Sequence, residues 1–174
     1  MTGTPTEILK AVGLLFVAAL VQVSIATPLE VASGHPDVVL LTLVAVAMLR
    51  GPLVGAVAGF WAGLVVDVAA LQALGLTSLL LTLAGYWAGR FGELTTRESP
   101  HPPLIAAALA TVGVVVGSGL VHFMLGQGAP ASALLGEVLL PTVALNVLLA
   151  YPVYRLCARL FPVARRERRE AVLV

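Results

Sequence analysis

The chain has 174 residues, of which 59% are hydrophobic and 11% charged, with a formal net charge of +1 and a mean hydropathy of +1.02. Soluble domains carry roughly 45–50% apolar and about 25% charged residues, and a chain this short exposes a large share of its surface, so the composition excludes a soluble globular enzyme, a disordered chain and a disulfide scaffold. Lipid is the solvent for most of it, and the single cysteine, Cys157, permits neither an internal disulfide nor a cysteine-based metal site.

A helix needs about 20 mostly apolar residues, at ~1.5 Å rise each, to cross a hydrocarbon core of about 30 Å. Six spans are predicted on that measure. The first covers residues 8–27 and stops at Thr27-Pro28. It closes on Ser24-Ile25-Ala26, a small-x-small pattern, but the apolar run is long for a signal peptide and Lys10 alone precedes it, so the span is expected to be retained. Residues 37–49 are apolar but short, and Arg50-Gly51-Pro52 turns the chain. Spans over 53–71 and 74–91 follow, then a polar, proline-rich connector over 92–103. The fifth span, 104–125, breaks at Gly126-Gln127-Gly128-Ala129-Pro130, and the sixth covers 133–154. Residues 1–161 form one membrane domain and 162–174 a basic tail. No segment has the period-two alternation of a membrane barrel strand, so the expected fold is an all-α integral membrane protein, a bundle of six transmembrane helices.

The distribution of positive charge supports this parse. With six spans, Lys10, Arg50, Arg90, Arg97 and the arginines 155, 159, 165, 166, 168 and 169 all fall on one side of the membrane, and the other side has no Lys or Arg. Positive loops stay inside, which places both termini in the cytoplasm. The basic tail lies where this rule requires it, so no nucleic-acid partner is implied.

Polar residues within the spans carry the chemical information. Asp67 lies late in the third span, where a carboxylate is costly unless partnered or wetted. Gly55, Gly59, Gly63 and Asp67 recur every four residues and form a stripe along which another helix approaches closely. Two readings follow: internal packing with Asp67 bonding a neighbouring helix end, or contact with a ligand or a partner protein. Asp37 follows Pro36 and suits a helix N-cap, and Asn146 in the sixth span requires an interhelical partner. Together Gly55, Gly59, Gly63, Asp67, Asp37 and Asn146 are the candidate partner-contact residues. His35, Asp37, Asp67 and His122 gather on the outer side without a ligand-spacing signature, so no metal site is expected. The chain shows no nucleophile paired with a base and no phosphate-binding glycine loop, and neither catalysis nor a cofactor is expected.

The segments His35-Pro36-Asp37-Val38-Val39-Leu40-Leu41, Leu49-Arg50-Gly51-Pro52 and Gly59-Phe60-Trp61-Ala62-Gly63-Leu64-Val65-Val66-Asp67 resemble the MreD family of bacterial rod shape-determining membrane proteins. Leu74-Gly75-Leu76, Gly85-Tyr86-Trp87-Ala88-Gly89 and the run from Leu145-Asn146 to Tyr151-Pro152-Val153-Tyr154 fit the same order and spacing. The resemblance implies a multi-pass protein of the bacterial cytoplasmic membrane within the cell-elongation (rod) complex. There it would scaffold or regulate peptidoglycan synthesis and so cell shape. The implied partners are an MreC-like bitopic periplasmic protein and, through it, a class B transpeptidase, a RodA-type polymerase and MreB filaments. The family also looks similar in fold to the substrate-binding subunits of energy-coupling-factor vitamin transporters. Such a subunit is therefore the alternative function, with a small free-standing transporter third. Against the alternative, Gln22 interrupts an alanine stripe between Ala18 and Ala26, and aromatic residues are only 6%. A free-standing transporter would place polar groups at the midplane, whereas here they gather outward.

Overall fold

The computed structural model describes residues 5–22, 35–71, 74–95, 101–124, 126 and 139–161. Among these the chain forms six helices and no strand: α1 Pro5–Val21, α2 Val38–Arg50, α3 Pro52–Ala69, α4 Leu76–Leu94, α5 His101–Met124 and α6 Leu140–Leu160. Three of them are long and apolar enough to cross a membrane, over Pro52–Ala69, His101–Val121 and Leu140–Leu160. The apolar parts of α1 and α2, Leu9–Val21 and Val38–Arg50, are shorter.

The helices alternate in direction. Gln22 at the end of α1 bonds Val38 at the start of α2, and Gly89 late in α4 packs on Pro52 at the start of α3. Arg50 at the end of α2 lies over the ring of Phe161, which follows α6, so α2 and α6 run the same way.

The shortest helix is the centre. Every residue of α2 from Val39 to Leu49 is buried, and α2 touches each of the other five helices. Its 13 residues span about 20 Å, short of a bilayer core of about 30 Å, and its apolar side chains surround the axis, as in a helix shielded on all sides. The turn from α2 to α3 is one residue, Gly51, at φ +96°, a backbone that side-chain-bearing residues rarely adopt. Pro52 then opens α3, where its missing N–H would have had no helical partner.

Several boundaries differ from the sequence reading. Helix α5 begins at His101, inside the stretch read as a connector, because Pro102 and Pro103 occupy a first turn that tolerates proline. Helix α4 continues to Leu94, and α3 stops at Ala69, with Leu71 in a turn at φ +52°. Residues 23–27, 133–138 and the tail 162–174 lie outside the described residues.

Candidate functional site

The glycine stripe of α3 is occupied by α4. A Cβ placed on Gly55 would overlap the Gly85 carbonyl, and one on Gly85 would overlap the Gly55 carbonyl. A Cβ on Gly59 would strike the backbone of Leu81, and one on Gly63 that of Ser78. The two backbones therefore run in contact from Pro52 and Gly89 at one end to Gly63 and Ser78 at the other. The Ser78 hydroxyl donates to the Phe60 carbonyl at 2.9 Å and ties the helices across this seam. Small residues at this spacing permit an approach that any larger side chain prevents.

Asp67 ends the seam and is fully buried. Its carboxylate caps the start of α4: the Gly75 N–H donates to Oδ2 at 2.7 Å and the Thr77 N–H to Oδ1 at 3.2 Å. A helix start leaves amide hydrogens unpaired and carries a positive dipole end, so a carboxylate there satisfies both donors and field. Gly75 takes φ +98° to present its amide to this group.

A second polar centre closes the start of α2. Asp37 accepts from the Leu40 N–H at 2.9 Å, as an N-cap does. Gln22 Oε1 accepts from the N–H groups of Val38, at 2.7 Å, and Val39, at 3.2 Å. The Asp37 N–H donates to Asn146 Oδ1 at 2.9 Å, the Asn146 amide donates to Thr111 Oγ1 at 3.1 Å, and the Thr111 hydroxyl donates to the Ala107 carbonyl at 2.8 Å. Side chains from four segments thus knit together a half-buried helix end, whose first amides would otherwise lack partners within the helix. Thr142, one turn from Asn146 on α6, has a buried hydroxyl with no hydrogen bond among the described residues.

The six candidates accordingly occupy two internal centres. Gly55, Gly59, Gly63 and Asp67 join α3 to α4, while Asp37 and Asn146 join α2 to α6. The sequence marks Gly85 and Gly89 as close-packing positions of the fourth span, and both are so used; it did not reveal Gln22, treated there only as an interruption of an alanine stripe, nor Thr111 and Ser78. The available signal was a primary amide inside an apolar span, which demands a partner. Two further acidic residues, Glu30 and Glu137, lie outside the described residues. Among the described residues no three of His, Cys, Asp or Glu lie close enough to hold a metal ion.

Outward faces are apolar. Between α4 and α5 lies a groove of about 340 Å³, walled by Leu80, Leu83, Trp87 and Leu109 and floored by small residues including Ala84 and Gly113. Leu83, Trp87 and Leu109 are exposed on its rim.

No curated protein and no solved structure matches the chain. The family model described as rod shape-determining protein MreD matches residues 7–162 and so spans both polar centres and all six helices but for the first two residues of α1. Members of that family are shape-determining membrane proteins, a role that agrees with buried polar groups spent on the fold and apolar faces turned outward. The chain belongs to the MreD family of rod shape-determining proteins.

Proposed function

We propose that the chain is a non-catalytic scaffold of the cell-elongation complex, crossing the bacterial cytoplasmic membrane six times with both termini in the cytoplasm. It holds an MreC-like bitopic periplasmic protein and, through it, influences a class B transpeptidase, a RodA-type polymerase and MreB filaments, and so regulates peptidoglycan synthesis. The observation that carries this reading is the bonding of two carboxylates, one buried and one half-buried. Asp67 and Asp37 accept from helix-start amides of the chain itself, so they serve its shape. The six candidate residues support partner contact from inside, by fixing the hairpin of α3 and α4 and the depth at which α2 begins. The partner meets the faces that this framework displays.

Depletion in a rod-shaped bacterium, complemented with wild type or Asp67→Asn, tests the proposal. Depleted cells should round, and wild type should restore rods and co-purify with the MreC-like protein. Asp67→Asn retains a carbonyl acceptor at the start of α4 but loses the charge and one acceptor oxygen, at about 1–2 kcal/mol. It should melt earlier yet keep the partner at temperatures where it is folded. Tight stoichiometric vitamin binding by the purified chain, with rod shape intact after depletion, would instead favour the transporter subunit.

A further inference from the structure

Five basic residues are described, and they are held differently. Arg50 stacks over Phe161 at 5.2 Å, and Arg90 pairs with Glu93 at 2.9 Å. Arg155 and Arg159, one turn apart on α6, are both exposed and enter no ion pair among the described residues. Two like charges at this spacing repel on a helix surface unless an anion lies between them. Arg155 is directed along the helix by Tyr151, whose ring centre lies 5.5 Å from its guanidinium carbon. Beside this row runs a second exposed row, Leu148, Pro152, Leu156 and Leu160. The guanidinium groups therefore flank an apolar, lipid-facing strip at the end of a candidate membrane span, the level at which headgroup phosphates sit. In sequence, four more arginines follow at 165, 166, 168 and 169.

We propose that this end of α6 is a seat for anionic phospholipid headgroups. Arg155 and Arg159 clasp one phosphate between them, Tyr151 orients the first of the pair, and the leucine row lies along the acyl chains. A guanidinium offers a fork of donors matched to phosphate oxygens, which a phosphatidylglycerol headgroup presents with net negative charge. Clusters of basic residues at the end of a membrane helix attract anionic lipid.

Native mass spectrometry of the full chain in a neutral detergent, titrated with phosphatidylglycerol or phosphatidylcholine, tests the proposal. Phosphatidylglycerol should bind more tightly, and its binding should weaken as salt is raised. Arg155→Gln with Arg159→Gln should reduce that affinity roughly 25-fold while phosphatidylcholine binding stays unchanged. Arg155→Lys with Arg159→Lys keeps the charge and should retain most of it, and Arg90→Gln should have no effect. Equal wild-type affinity for the two lipids would overturn the proposal. So would a glutamine double variant that binds phosphatidylglycerol like wild type, which would leave these arginines to an acidic protein surface.

Discussion

Helices α3 and α4 meet backbone to backbone, whereas α4 and α5 meet through side chains and leave a groove between them. The contrast is visible at single glycines. At Gly59 an added Cβ would strike the Leu81 carbonyl, while at Gly113, on the groove floor, there is nothing within 4 Å. It is also visible in burial, since 39% of the α3 span lies inside the molecule against 17% of the α5 span. In lipid, apolar side chains gain little by leaving the solvent, so helix association relies on van der Waals contact and hydrogen bonds. The α3–α4 pair has both, through its glycines and through Asp67 and Ser78. The α5 side has leucine and valine turned to the bilayer, a surface able to exchange lipid for another helix at small cost. One region sets the shape and the other presents it.

The largest expected effect separates these regions directly. Gly59→Leu should destabilise the protein by about 3 kcal/mol or more, since backbone and not a flexible side chain blocks the added atoms. Gly113→Leu should change stability by less than about 0.5 kcal/mol, because its side chain enters open space. Thermal melts of the two variants in one detergent provide the check. Comparable losses would mean that α5 is packed as tightly as α3.

A smaller effect sharpens the role of the second polar centre. Asn146→Leu removes the acceptor for the Asp37 N–H and the donor to Thr111, so it should cost about 2–3 kcal/mol. Thr142→Val, one turn away on the same helix, deletes a buried hydroxyl that has no partner among the described residues, and should be neutral or stabilising by up to about 1 kcal/mol. Equal destabilisation by the two substitutions would show that the Thr142 hydroxyl is bonded in solution.

Much of this division was legible in the sequence. A four-residue repeat of glycine ending on aspartate announces a close helix contact with a polar terminus, and that is how Gly55, Gly59, Gly63 and Asp67 are used. The identity of the facing helix was not legible, because close-packing glycines recur in two later spans, at Gly85 and Gly89 and at Gly113 and Gly117, and Ser78 gains meaning only when the turn at Gly75 sets the register of α4. Residues 37–49 read as a short span, yet the central place of α2 depends on five neighbours that no local pattern specifies. Gln22 was missed for a related reason. Its partners, the amides of Val38 and Val39, are backbone groups and leave no mark on side-chain composition. The start of α5 was hidden by Pro102 and Pro103, which read as loop formers although a first helical turn accepts them.

The buried and half-buried polar residues serve the architecture of the chain itself. Hydrogen exchange resolved to single amides, on the purified protein without partner or ligand, tests it most directly. The account predicts strong protection at Val38, Val39 and Leu40 and at Gly75 and Thr77, because Gln22, Asp37 and Asp67 already accept from these groups. Rapid exchange at these five amides in the isolated protein, slowing only when a partner or small molecule is added, would contradict it.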